Sequence, residues 1–447
     1  MTRPHLPCHS DLSCHSEPAG EESPRVRGRC PLSLWERVRV RARRGGQEML
    51  RSAQHDKTGR LHPCRRPQVL VKGLLALVAI LTLALPAGCT QTPHLSGEAV
   101  IYVAAPLSGD QADGGQSVLG GARKKADEVN RAGGVLGGKK VVVKGLDDQA
   151  DEGVALEVAE QIQKASQSGQ TVLGVIGHYN SGPTGAALPV YNQTGLVVIT
   201  PSSSNPDLTR QGYGTFFRVC ATDATQGPFA AKFLKDKGYQ RIALMRTDND
   251  YAKGLAREFK AAGIQPVLEV EQKAESLTFA AQVAQVKAAN PDAVFFAGDY
   301  PDGIVTVREL RQAGLNVPIL ASDANFVDDF IDQLGKQAEG VYISTISPDP
   351  RIVATPAWFE EYQQLEARNP GIDSTTGYSA ADVLLNGVLK ANKLDGKAIA
   401  AAIRGLDLKT LIGQAKYDPN GDLVEQKVYI FQVTGGRFNQ IYPQPSS

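Results

Sequence analysis

Past Cys89 the chain holds one more cysteine, Cys220, and two histidines, His94 and His178. A single internal thiol closes no disulfide, so this part folds by packing alone, even in a compartment that would permit the bond. One cysteine and two distant histidines supply no Cys/His metal set; neither a metal nor any other cofactor is expected. A carboxylate-only Mg²⁺ site stays open on composition, but Asp147-Asp148 at a strand end reads more simply as a solvated turn. Serine hydrolysis needs a base beside its nucleophile, and candidates are as scarce. Positive charge is short too: from Cys89 onward 33 Lys/Arg face 40 Asp/Glu, a net charge of −7. Nucleic-acid phosphates reward Lys/Arg clusters, so no nucleic-acid partner is expected.

The basic residues concentrate at the other end, where residues 1–88 carry 15 Lys/Arg and 7 Asp/Glu. Residues 1–64, with four cysteines and the Arg-alternating WERVRVRARR, show no period that would bury a core. They read as a spurious extension, with Met49 a candidate true start, or as a disordered basic arm. The run GLLALVAILTLALPAGC, Gly73 to Cys89, follows Arg65, Arg66 and Lys72. A basic segment leading into about 13 apolar residues reads as an export signal over 65–88, too short for a membrane span of roughly 20. Its ending LPAGC resembles the lipobox of bacterial lipoproteins, with Pro86 where that motif has Leu. The resemblance implies lipidation at Cys89, a tether over 89–97 and an extracytoplasmic protein held at the membrane. An uncleaved anchor helix and plain cleavage near Ala87 are the alternatives.

Beyond the tether, strand-like and helix-like segments alternate. Apolar runs at 100–105, 140–146, 172–176 and 196–200 predict strands. Val118, Ala122, Ala126 and Val129 mark a helix over 117–131, and Val154, Val158, Ile162 and Ala165 mark a second. The pattern restarts after Cys220, with helices over 226–237, 254–262, 279–289 and 304–313 and strands over 241–245, 266–269, 293–297 and 318–321. A mostly helical stretch at 351–411 and a strand at 427–433 follow. Apolar strands between helices predict parallel sheets covered on both faces. The expectation is an α/β protein of two similar lobes whose chain crosses between them more than twice.

Ligands of open α/β sheets sit beyond the carboxyl ends of the strands, and the polar clusters fall there. PLSGDQADGG, GHYNSG and TPSSSN belong to the first lobe, RTDNDY, AGDYPDG and ASDAN to the second. Clusters facing each other describe a cleft. The serines Ser202, Ser203 and Ser204 invite a nucleophile reading, but no GxSxG elbow surrounds them, and helix capping is the plainer role. GDQADGGQS has the glycines of a P-loop without its Lys, and Asp110 and Asp113 would repel phosphate. It reads as the glycine-rich approach to a helix start. Binding is what remains. Ser181 and Ser204, past neighbouring strands and near helix starts, offer hydroxyls and free N–H groups to a carboxylate. Asp323, past a strand of the opposite lobe, is an anion for an ammonium. Together they specify an amino acid.

In order and spacing, PLSGDQADGG, AGGVLGGKKVVV, VIGHYNSG, ITPSSSNPDLT, FFRVCATDATQG, DNDYAKGLA, FAGDYPDG, LRQAG and EGVY resemble the Leu/Ile/Val-binding proteins of branched-chain amino acid ABC transporters. The resemblance spans roughly 98–433 and implies the type I periplasmic-binding fold: two Rossmann-like lobes with parallel central sheets, joined by a three-strand hinge. It implies a first lobe of 98–221 and 347–424 and a second of 222–346 and 425–447. By matching motifs, Ser181 and Ser204 take the carboxylate, and the Ser202 carbonyl with Asp323 takes the ammonium. Tyr251 and Tyr300 line the closed cleft, and Thr184 falls on the helix surface. Three departures stand out: Gly114 replaces a first-lobe aromatic, Tyr179 replaces a smaller apolar residue and is placed to refill that space, and Asp323 stands where Glu is frequent. The cysteine pair of the family aligns with Ala150 and Asn180, so its disulfide is absent. The implied function is a monomeric, non-enzymatic, lipid-anchored receptor that passes an amino acid, branched-chain or aliphatic, to an ABC permease. The rivals are a sensor module of the same fold for amides or other small acids, and a serine hydrolase using Ser204.

Overall fold

The computed structural model describes residues 95–443. The expected extension, the signal segment and Cys89 lie outside the described residues. The first run is β1 (Glu98–Ala105), α1 (Ala112–Arg131), β2 (Lys140–Asp147), α2 (Glu152–Gln167), β3 (Val172–Gly177), α3 (Ser181–Thr194), β4 (Val198–Thr200), α4 (Asp207–Arg210) and β5 (Phe216–Arg218). The second is α5 (Asp223–Asp236), β6 (Ile242–Thr247), α6 (Asp250–Ala261), β7 (Leu268–Gln272), α7 (Ala280–Ala289), β8 (Ala293–Ala297), α8 (Tyr300–Gln312), β9 (Ile319–Ala321), α9 (Asp328–Leu334) and β10 (Tyr342–Thr345). The chain then returns through α10 (Pro350–Val353), α11 (Pro356–Glu366), α12 (Ile372–Ala391), α13 (Gly396–Arg404), β11 (Leu408–Thr410) and β12 (Gly413–Ala415), and ends on β13 (Tyr429–Val433) and β14 (Phe438–Tyr442).

In the first lobe five parallel strands run in the order β2-β1-β3-β4-β5. Every residue of β1 after Glu98 is buried, as a strand covered on both faces requires. Ile101 and Val103 pack under Val118 and Ala122 of α1 and Leu384 of α12. Tyr102 and Ala104, with the opposite parity, pack under Val158 and Ile162 of α2 and Tyr191 of α3. In the second lobe the order is β14-β13-β10-β9-β8-β6-β7. The strands β6 to β10 pair in parallel, whereas β13 and β14 add an antiparallel edge. Three crossing segments join the lobes and are tied together: Cys220, Ala221, Ile346 and Val428 form one apolar cluster. The Gln426 side-chain carbonyl accepts from Thr222 N at 2.8 Å and from the Thr225 hydroxyl at 2.8 Å.

Four helices start earlier than their apolar stripes predict, α1 at Ala112, α5 at Asp223, α6 at Asp250 and α8 at Tyr300. Their first turns are glycine and polar residues without an amphipathic period, so the sequence reads them as loop. Those turns form the cleft rim. The short strands β5 and β10 were also missed, each being three or four residues long.

Helices α1 and α12 meet at backbone contact. A Cβ on Gly121 would lie 2.0 Å from the Ser374 carbonyl oxygen, and one on Gly377 2.3 Å from the Val118 carbonyl oxygen. Gly121→Ala gains about 1 kcal/mol of helix propensity, but forcing two packed backbones apart costs about 1–3 kcal/mol. A net fall in melting temperature is expected, and an unchanged or raised one would show the helices separate freely.

Candidate functional site

Two loops leave the carboxyl ends of adjacent strands. The loop after β3 runs through His178, Tyr179 and Asn180 into α3, and the loop after β4 carries Pro201 and the three serines. The His178 carbonyl accepts the Thr200 hydroxyl at 2.8 Å and the Ser203 hydroxyl at 3.0 Å. The Ser203 hydroxyl also lies 2.6 Å from Thr184 Oγ1, and Ser202 Oγ donates to the Tyr179 carbonyl at 2.7 Å. Ser203 is therefore a local rivet. Thr184, expected on the helix surface, is buried inside this network. The His178 ring is fully buried, with Nδ1 2.7 Å from Asp148 Oδ2 and Nε2 3.0 Å from the Tyr191 hydroxyl. Both ring nitrogens are taken, so no serine hydroxyl is bonded to the imidazole. Asp148 is correspondingly not the solvated turn residue the sequence predicts: it is wholly buried as the partner of His178.

Beneath the serine loop lies Arg218, the largest fully buried side chain among the described residues. It donates to the Ser203 carbonyl at 2.7 Å and to Thr209 Oγ1 at 3.0 Å, and its Nε lies 2.5 Å from Asp422. A buried charge of this kind is tolerable only when paired and hydrogen-bonded. The Asp422 carboxylate and the loop carbonyls supply those partners, and in return the guanidinium fixes the path of the serines.

The two lobes enclose a cavity of about 50 Å³, lined from the first lobe by Ser181, Ser202 and Tyr179 and from the second by Tyr251 and Asp323. Ser181 is the first residue of α3, and Asn180 before it makes no side-chain cap, so the open N–H groups of the first turn remain available to an anion. Asp323 opens a short 3₁₀ turn after β9 and accepts the Tyr251 hydroxyl. Burial raises the Asp323 carboxyl above the ordinary range and lifts the Tyr179 and Tyr251 phenols well above theirs. The Asp323 carboxyl and the open N–H groups at the start of α3 thus line one small cavity, whose remaining walls include the apolar side chains of Phe326, Val327, Ile346 and Ile372.

Three of the expected residues stand elsewhere. Ser204 does not line this cavity: it is fully buried beside Asp223, whose carboxyl is pushed up to about 8 by burial while Ser204 opposes the rise. The Ser204 carbonyl accepts the Asp223 N–H at 3.0 Å, at the start of α5. Tyr300 also leaves the wall and donates to the Asp110 carbonyl, joining the lobes at the rim. Its predecessor Asp299 takes the wall position. Gly114 is not in the lining either, because the Tyr179 ring fills the space above it; a Cβ there would lie 2.7 Å from the Tyr179 hydroxyl. Sequence reasoning missed Asp299, Asp373 and Arg218. Asp299 was visible in the AGDYPDG cluster, whereas Asp373 begins a helix whose pattern speaks only of packing.

A family model described as periplasmic binding protein matches residues 101–437. The chain belongs to the periplasmic binding protein family. Periplasmic binding proteins close two hinged lobes on a ligand, and the cavity lined by Ser181 and Asp323 lies between the two lobes of this chain. Among relatives, the Leu/Ile/Val-binding protein BraC3 of Rhizobium johnstonii is 30% identical over 372 residues, covering 80% of this chain and 97% of its own. A leucine-, isoleucine-, valine-, threonine- and alanine-binding protein of Pseudomonas aeruginosa is 29% identical over 333 residues, covering 72% and 86%. The crystal structure of a leucine binding protein, LivK, from Thermotoga maritima superposes with a TM-score of 0.69 at 28% identity, covering 76% of this chain and 97% of that one. The two-lobed α/β architecture and the substrate-binding role of ABC-transporter periplasmic binding proteins apply to this chain, and the family is extracytoplasmic. No helix among the described residues is long and apolar enough to cross a membrane.

Proposed function

We propose that this periplasmic binding protein captures an amino acid between its lobes and delivers it to an ABC permease, acting as a monomer without catalysis. The observation that carries this reading is the uncapped start of α3 at Ser181 facing Asp323 across the cavity. The first lobe would comprise 98–221 and 347–424, the second 222–346 and 425–447. A zwitterion touches both lobes at once, so it stabilises the closed form and only that form. The printed names of the relatives support the amino-acid class and, for the side chain, an aliphatic one. Thermal-shift measurements on the ligand-stripped protein with the common amino acids should raise the melting temperature for at least one; uniformly null shifts reject the reading. Fluorophosphonate should leave Ser204 unlabelled, since its hydroxyl is fully buried and the His178 ring nitrogens are held by Asp148 and Tyr191.

The membrane attachment is a separate proposal, resting on LPAGC and the basic-apolar segment before it. Cys89→Ala should abolish incorporation of a radiolabelled fatty acid and release the protein from the membrane fraction. Unchanged incorporation would place the anchor elsewhere.

A further inference from the structure

The walls of the cavity are more acidic than a zwitterion needs. Besides Asp323, two further carboxylates line it, Asp299 and Asp373, each only 8% exposed. No Lys or Arg appears among its lining residues, nor among those of the neighbouring cavity of about 380 Å³ that shares Ser181, Tyr251 and Asp299 with it. That neighbouring cavity adds Asp110, Glu152, Asp250, Glu275 and Asp302.

Neither extra acid is used up by the fold. Aspartate directly before a helix ordinarily caps it by accepting an N–H of the first turn. Asp299 occupies that place before α8 yet makes no cap; one of its oxygens accepts Asn249 Nδ2 at 2.7 Å, and the other has no donor among the described residues. Asp373 accepts the Tyr179 hydroxyl at 3.2 Å on one oxygen, and its second oxygen also lacks a donor among the described residues. Both residues are therefore more than nine-tenths buried in the cavity wall, and each keeps one carboxylate oxygen without a donor among the described residues. Tyr179 feels the charges of Asp373, Asp299 and Asp323 together, so the three form one electrostatic group.

An amino acid with a neutral side chain brings one ammonium, which Asp323 takes, and one more carboxylate. Closing the lobes on it leaves Asp299 and Asp373 buried without a counter-charge, an arrangement that isolated carboxylates avoid. A second cation on the ligand would meet them. We infer that the amino acid this cavity selects carries a cationic side chain, as lysine, ornithine or arginine does, held by Asp299 and Asp373. The inference rests on the amino-acid reading above and departs from the aliphatic side chain named for the relatives.

Protonation gives the test its second axis. Burial pushes the Asp373 carboxyl up to about 7 and Asp299 up to about 6 in the ligand-free cavity. Asp373 faces Tyr179, Asp113, Asp323 and Arg368, and Asp299 faces Asn249, Asp323 and Glu275. A cationic side chain needs both acids ionised and binds better as pH rises through these values; a neutral one needs them protonated and binds better as pH falls.

Calorimetric titration of the ligand-stripped full chain with L-lysine, L-ornithine, L-arginine and L-leucine reads both effects. At about pH 8, at least one basic amino acid should bind more than about tenfold more tightly than leucine, a difference of about 1.4 kcal/mol. The ratio should shrink at about pH 5.5, and in an Asp299→Asn/Asp373→Asn variant that still melts cooperatively. Leucine outbinding every basic amino acid at the higher pH overturns this inference and leaves the amino-acid reading standing. A preference unchanged in the variant overturns the assignment to these two residues. Binding of none of the four overturns the inference, and the thermal-shift panel of all common amino acids then decides whether the broader reading falls with it.

Discussion

Asp323→Ala should remove detectable amino-acid binding. In the proposed site the Asp323 carboxylate meets the α-ammonium from the second lobe, across the cavity it shares with Ser181. Removing one partner of a buried ion pair costs about 3–5 kcal/mol, on the order of a hundredfold to a thousandfold or more in Kd. The Tyr251 hydroxyl loses its acceptor at the same time. Titration calorimetry gives the comparison, with Asp323→Asn as the variant that keeps the shape.

Stability should move the other way. Burial raises the folded-state pKa of Asp323 above its unfolded value, so this group stabilises the ligand-free fold fully below the unfolded pKa and loses that contribution as pH rises through the folded one. At neutral pH the ligand-free Asp323→Asn protein should therefore melt no lower than the wild type. Lost binding with retained stability marks a ligand residue; lost stability would mark a structural one. Near-normal affinity in Asp323→Ala would reject its role altogether.

Arg218→Ala should cost both stability and affinity. The guanidinium is wholly buried and compensates Asp422, whose carboxylate the substitution would strand. An unpaired charge of this kind costs about 3–5 kcal/mol, visible as a large fall in the denaturation midpoint. The Ser203 carbonyl also loses its donor at 2.7 Å, so the loop that presents Ser202 to the cavity relaxes and ligand affinity falls. The double variant Arg218→Met/Asp422→Leu separates the two effects, because an apolar pair of similar volume can restore stability without restoring the hydrogen bonds to the loop. Recovery of the midpoint with affinity still depressed is the expected pattern. Equal recovery of both would show that the serine loop holds its path without Arg218.

How far the sequence carries can be judged from these same residues. The buried strands were legible because a parallel sheet covered on both faces leaves runs such as VIYVAA and VFFA with no polar residue to interrupt them. Ser181 and Asp323 were legible because the site of an open sheet lies past its strands. Ser204 misled because it lies four residues past β4, where the loop has already taken its side chain out of the cavity lining and beside Asp223, and spacing alone does not record that path. Tyr300 misled by one position: at a helix start neighbouring side chains diverge, so Asp299 faces the cavity while Tyr300 reaches across to Asp110. Asp373 and Asp148 were illegible in a different way. Each owes its role to a partner distant in sequence, Tyr179 for one and His178 for the other, and single-sequence periodicity does not report such pairings.

Native mass spectrometry of the full chain purified without denaturation tests the central claim, capture of an amino acid between the lobes, most directly. The account predicts a species heavier than the bare protein by one amino acid, and its loss in Asp323→Ala. A bound molecule that lacks an amino group, or an amino-acid adduct that persists undiminished in Asp323→Ala, would contradict it.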